Sequence, residues 1–230
     1  MIAFTAEETD AIILSVRVAT LAVIVALPFA MAAAYMLARW NFRGKILFDA
    51  LIHLPLVLPP VLTGYVLLVL FGRHGAIGER LEHWFGISIA FRWTGAVIAA
   101  AVMAFPLFVR SVRLSIESIP RELDEIAASL GAGAWQRFWR VLLPLSLPGI
   151  AAGTTLAFAK ALGEFGATIT FVSNIPGETR TIALAIQSLT QVPNGEPGIW
   201  RLAIVSVLLS LGALAASEWL TRRALRQRRN

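Results

Sequence analysis

The chain has 230 residues, 57% of them hydrophobic and 15% charged, with a mean hydropathy of +0.73. A water-soluble surface needs about a quarter of its residues charged, so lipid must be the solvent over much of this one, and there is no room for a second large soluble domain. The net charge of +6 and a pI near 10.9 would suggest nucleic acid in a soluble protein, but membrane proteins gather Lys and Arg in their cytoplasmic loops, and no nucleic-acid partner is expected.

Crossing a bilayer takes about 20 mostly apolar residues, and five windows qualify. The first, 11–38, follows Glu7, Glu8 and Asp10. An acidic start before a long apolar run reads as a retained span, not a cleavable signal. The second, 46–71, contains Pro55, Pro59 and Pro60 and fits either a kinked helix or two half-helices. The third is 94–113. The fourth, 142–172, carries Pro144 and Pro148 at its start, and the fifth is 199–220. Trp40, Trp93, Trp135, Trp139, Trp200 and Trp219 lie at or near predicted span ends, where amphipathic rings settle, while Trp84 falls in a loop. The expected fold is all-α, a single polytopic bundle of about five transmembrane helices over residues 1–230.

Thirteen basic residues fall in one set of loops and the tail: Arg39, Arg43, Lys45, Arg110, Arg113, Arg121, Arg137, Arg140, Arg222, Arg223, Arg226, Arg228 and Arg229. The opposite set holds five: Arg73, Arg80, Arg92, Arg180 and Arg201. The positive-inside bias puts the larger set in the cytoplasm, with the N-terminus outside and the C-terminus inside. Arg17 and Lys160 fall within spans.

Between the third and fourth spans the sequence predicts a short helix outside the membrane, over 120–131. Pro120 suits its first position, and Glu122, Asp124 and Glu125 suit the positive end of its macrodipole. Leu123, Ile126, Ala127 and Leu130 recur at helical spacing, and Gly131 and Gly133 can stop the helix. Amphipathicity alone fits a helix lying on lipid as well as one docked to a partner.

The chemistry of many enzymes is missing. Gly44-Lys45 lacks the upstream glycine of a phosphate-binding loop, so ATP hydrolysis by this chain alone is not expected. His53, His74 and His83 are scattered without metal-ligand spacing, and no G-x-S-x-G or H-E-x-x-H occurs.

Glu125-Ile126-Ala127, then Gly131, then Val141-Leu142-Leu143-Pro144 and Pro148-Gly149, resembles the cytoplasmic loop motif of ABC importer permeases, with Ile126 in place of the usual first alanine. Lys160-Ala161-Leu162-Gly163-Glu164-Phe165-Gly166-Ala167-Thr168, followed by Asn174-Ile175-Pro176-Gly177-Glu178-Thr179-Arg180-Thr181, resembles molybdate permeases. The runs Leu54–Tyr65 and Ala104–Ser111 are similar to the same family. Sulfate permeases carry a related version.

The resemblance implies a translocation subunit for molybdate, with tungstate a further substrate, and sulfate or thiosulfate the nearest alternative. It implies a second permease copy, two cytoplasmic ATPase subunits and an extracytoplasmic molybdate-binding protein, with membrane lipid around the bundle. Cofactors are expected only on the partner, as ATP and Mg. Leu123, Glu125, Ala127, Leu130 and Gly131 would couple to the ATPase, and loops 73–93 and 174–198 would receive the binding protein. An ATP-independent secondary transporter or channel is the rival of another class, and it would not need the helix at 120–131.

Lys160 lies near the middle of the fourth window, where a lone cation costs about 2.5–3.5 kcal/mol on insertion scales. Glu164, four residues on, shares its helical face. The pair reads either as a neutralised structural pair or as part of the pathway or gate, with Gly163, Gly166 and Thr168 beside it. Gly149 and Gly153 form a G-x-x-x-G that suits packing inside one subunit or at a dimer contact.

Overall fold

The structure, a computed structural model, describes residues 4–226. Arg228 and Arg229 lie outside the described residues, as do the side chains of Arg222, Arg223 and Arg226. Among the described residues every regular element is helical.

Helix α1 (Ala6–Arg39) opens on a reciprocal cap, in which Thr5 Oγ1 accepts from the Glu8 amide at 3.2 Å and the Thr5 amide donates to Glu8 Oε2 at 3.0 Å. The predicted second span is two helices, α2 (Lys45–Val57) and α3 (Pro60–Phe71), bent by 112° at Leu58-Pro59. Pro60 opens α3, where its missing N–H goes unneeded. The loop after α3 contains a short helix of its own, α4 (Gly78–Phe85). Helix α5 (Trp93–Glu117) is the third span, and α6 (Arg121–Ser129) is the short helix outside it.

The fourth window needs correcting. Its helix begins earlier, with α7 (Ala134–Arg137) and a π-helical turn (Phe138–Leu142), and runs on as α8 (Leu143–Leu162). It then breaks at residues 163–165 and resumes as the seven-residue α9 (Gly166–Val172). The reason is local: Gly163 is a poor helix former, and Glu164 takes up the free amide at the start of α9. Helix α10 (Ile182–Leu189) lies in the loop before α11 (Glu196–Arg226), the last span.

Helix α5 is the centre of the bundle, packed on α1 and α8. Buried Ala19, Ala22, Ala26, Ala30 and Ala34 line α1, and Ala96, Ala99, Ala100 and Ala104 line α5. Small residues let backbones approach closely in lipid, where the hydrophobic effect gives no help. Gly149 and Gly153 do the same between α8 and α5. A Cβ at Gly149 would collide with Ser115, and one at Gly153 would stand 2.8 Å from the Phe108 ring. Both therefore pack within the subunit. Outward-facing Ile24, Phe29, Val207, Leu208 and Leu211 are more than half exposed, as lipid-facing residues are.

Two faces follow from side-chain contacts. At the N-terminal face, Glu7 and Glu8 of α1 meet Arg180 and Arg201, and Arg17 stacks over Trp93 at 3.8 Å. At the α6 face, Arg39 donates to the carbonyls of Ile116 and Ile119, and Asp49 of α2 meets Arg113 of α5 at 2.9 Å. Phe71, at the end of α3, packs near Phe171, and a Cβ at Gly95, near the start of α5, would touch that ring as well. The α2–α3 pair therefore begins at the α6 face and ends at the N-terminal face, which makes it one broken span.

Candidate functional site

The two interruptions meet. Helices α3 and α9 lie side by side, with Pro60 against Gly166 at their starts and Phe71 against Phe171 at their ends. A Cβ at Gly166 would stand 2.6 Å from Pro60 Cβ, and one at Gly64 would stand 2.5 Å from the Ala167 carbonyl oxygen. No hydrogen bond joins α3 to α9 among the described residues, so this contact is held by close packing alone. Thr63, next to Gly64, buries its hydroxyl without a partner.

Lys160 and Glu164 flank the second break. Lys160 Nζ donates to Glu164 Oε2 at 2.6 Å, and the Ala167 amide donates to Glu164 Oε1 at 3.0 Å. Glu164 is 2% exposed, whereas the Lys160 side chain is 30% exposed. Each charge suits its helix end, the cation at the carbonyl end of α8 and the carboxylate at the amide end of α9. Removing the cation would leave a buried carboxylate facing one amide. Thr168 is buried at the α9 core, and Gly163 is exposed, its nearest would-be Cβ neighbour the Ala159 carbonyl at 3.7 Å. Of the five sequence-predicted residues here, Lys160, Gly163, Glu164 and Gly166 thus lie at the break, and Thr168 follows inside α9.

The α6 end is built differently. Pro120 is the residue before the helix and not its first turn. Helix α6 buries no residue, and Leu123, Ile126 and Leu130 are 41%, 56% and 82% exposed. Glu125 is exposed beside them and Ala127 is half-buried. Gly131 has φ +85 and closes the helix with two bonds, from its own amide to the Ala128 carbonyl and from Ala132 to that of Ala127. Arg137 ties the helix back, donating to Asp124 at 3.0 Å and to the Ala132 carbonyl at 3.3 Å. Behind it Trp135, Phe138 and Trp139 pack together, and Phe138 meets Tyr35 of α1 at 5.9 Å. An apolar stripe offered to water is thereby fixed rigidly to the first and fourth spans.

Residues 26–226 match the family described as the binding-protein-dependent transport system inner membrane component. The chain belongs to this family. Membership makes it a multi-pass inner-membrane permease component, and the bundle described above is a permease bundle. It is 57% identical over 218 residues, 95% of each chain, to the molybdenum transport system permease protein ModB of Escherichia coli strain K12. Likeness to the sulfate transport system permease protein CysT of the same organism is lower, 39% over 158 residues, covering 69% of this chain and 57% of that one. Among solved structures, a bacterial alginate ABC transporter in complex with an alginate pentasaccharide-bound periplasmic protein matches with a TM-score of 0.75 at 18% identity, over 95% of this chain and 80% of that one.

Several contacts of this permease are not foreseen by the sequence. Pro60, Thr63 and Gly64 form the α3 half of the contact with α9. Their signal was an interrupted apolar window, which appears twice in the chain. The Glu8–Arg201 pair, with contacts of 2.6 and 3.1 Å, and the Glu7–Arg180 pair clasp α1 to the segment around α10 and α11. Nothing local in the sequence pairs residues so far apart. Among the described residues no group of His, Asp and Glu could hold a metal.

Proposed function

We propose that this permease carries molybdate, and tungstate with it, across the cytoplasmic membrane as the translocation subunit of an ATP-driven importer. The observation that carries the substrate is the 57% identity, spread over 95% of both chains, to a molybdenum permease. In this reading the α6 face is cytoplasmic, the N-terminus is outside and the C-terminus inside, as the distribution of basic residues favours.

Two copies of the chain enclose one pathway, and two ATPase subunits, which hold the ATP and Mg, receive the exposed Leu123, Ile126 and Leu130. Leu123, Glu125, Ala127, Leu130 and Gly131 make up the coupling surface. A binding protein delivers the oxyanion to the N-terminal face, on the loops at 73–93 and 174–198. The α3–α9 contact is the closure, and Lys160, Gly163, Glu164, Gly166 and Thr168 lie along or beside the route. Closure by packing without hydrogen bonds suits a contact that must part in every cycle. Lys160 supplies positive potential to a dianion, and Glu164 limits it, since a site that binds too tightly would stop transit. The chain performs no chemistry of its own.

Proteoliposomes holding this chain with its ATPase, given binding protein and labelled molybdate, test the proposal. Accumulation that requires both ATP and the binding protein is expected. Accumulation without ATP would point to a secondary transporter instead.

A further inference from the structure

The N-terminal face holds a pocket of about 780 Å³ between the end of α3 and the start of α5. Its charged and hydroxyl lining is Arg73, His74, Ser88 and Arg92, and no carboxylate lines it. The loop that carries Arg73 and His74 is folded hard onto the last turn of α3. A Cβ at Gly75 would collide with the Val69 carbonyl, and one at Gly78 with the Gly72 carbonyl, so only glycine fits at either position.

Arg73 and His74 follow the carbonyl end of α3, where a cation is favoured. Arg92 has no such account. It is the residue before the first turn of α5, at the amide end, where the macrodipole opposes a cation. Its guanidinium has no hydrogen-bond or ion-pair partner among the described residues. In the proposed orientation it also lies outside, against the bias that gathers Arg in the cytoplasm. Arg73 has one carboxylate nearby, Glu82 at 3.6 Å, and both side chains are well exposed. Phe91, which lines the same pocket, is held at φ 59, a left-handed conformation that bulky residues adopt only under strain. Two guanidiniums and a strained turn thus border one cavity that no carboxylate lines.

We propose that this pocket binds an anion with two or more terminal oxygens, gripped by the Arg73 and Arg92 guanidiniums, with His74 and the Ser88 hydroxyl as further donors. Planar guanidinium forks match such oxygens in pairs. The anion is either a free tetrahedral dianion waiting above the α3–α9 contact or the phosphodiester headgroup of a neighbouring lipid. The volume is far more than one small anion needs, since a water occupies about 30 Å³. The anion therefore keeps part of its water, and its hold is loose and weakened by salt.

The test uses the assembled transporter in nanodiscs, without binding protein, comparing wild type with the Arg73→Gln/Arg92→Gln double variant. Labelled molybdate and labelled sulfate are each titrated in neutral phosphatidylcholine. Both probes are needed because the choice of molybdate rests on the proposed function, and binding of sulfate alone would correct the substrate while keeping the site. A second arm asks by native mass spectrometry whether phosphatidylglycerol stays bound. Salt-sensitive oxyanion binding weakened at least about tenfold in the variant assigns the free dianion. Lipid retained by wild type and lost from the variant, without oxyanion binding, assigns the headgroup. Should the double variant fail to assemble, Arg92→Gln alone takes its place, since that side chain has no protein partner to lose. Equal binding in wild type and variant, or none of either ligand in wild type, overturns the site.

Discussion

Glu164 joins Lys160 to the start of α9: one carboxylate oxygen takes the Lys160 ammonium at 2.6 Å and the other takes the Ala167 amide at 3.0 Å. The pair is therefore both the neutraliser of a cation within the span and the brace of the interrupted helix. These two duties can be separated. Lys160→Met should reduce uptake at least about tenfold, equivalent to about 1.4 kcal/mol, while the assembled complex survives. Lys160→Arg should keep a larger share of activity. Transport rates normalised to purified complex give the readout, and unchanged uptake in Lys160→Met would leave the pair a purely structural role.

Glu164→Gln keeps an acceptor for the Ala167 amide but loses the charge. Glu164→Ala loses both. The alanine variant should therefore lose more heat stability than the glutamine variant, by about 1 kcal/mol for the missing hydrogen bond. Thermal denaturation of the detergent-solubilised complex would show it, and equal melting temperatures would argue against the bracing role.

The glycines at the two breaks should behave oppositely. Gly166→Ala places a Cβ 2.6 Å from Pro60, and Gly64→Ala places one 2.5 Å from a backbone oxygen, so each must push α3 and α9 apart. Gly163→Ala meets nothing nearer than 3.7 Å and has no left-handed backbone to strain. If the α3–α9 contact is the closure, the first two variants leak labelled oxyanion from proteoliposomes without ATP, and Gly163→Ala does not. A leak from all three, or from none, would place the closure elsewhere.

Helix α6 buries nothing, so charge on its apolar stripe should leave the bundle intact. Leu130→Glu should abolish co-purification of the ATPase while the permease still elutes and melts as wild type. Gly131→Ala should have a milder effect, because φ +85 costs an alanine about 1–2 kcal/mol and frays only the end of the helix.

The outer clasp gives a stability prediction. Either Glu8→Arg or Arg201→Glu alone puts like charges together and should lower the melting temperature. The double swap should recover most of the loss, which a thermal-shift series on the three variants would measure. Failure to recover would mean that burial of Glu8, not its pairing, sets the geometry there.

Helix α6 was legible because its signals are local: acidic residues early, apolar residues three and four apart, a glycine to end it. The spans were legible as apolar windows, though α1 and α11 extend beyond them at both ends. Breaks were harder. Pro59-Pro60 marks an interruption, but the bend of 112° depends on α3 docking against α9, which no local pattern encodes. The break after Leu162 was hidden because Lys160 and Glu164 are four apart, a spacing that suits an unbroken helix equally well. Arg180 and Arg201 meet acidic residues 173 and 193 positions away, and their pairing only appears once the chain is folded.

Labelled molybdate uptake in cells lacking their own importer, supplied with this chain, its ATPase and its binding protein, tests the central claim most directly. Excess tungstate or excess sulfate serves as competitor. Uptake blocked by tungstate and spared by sulfate is the predicted result. Uptake blocked equally by sulfate, or no uptake at all, would contradict the substrate assignment and move this permease to sulfate or another oxyanion.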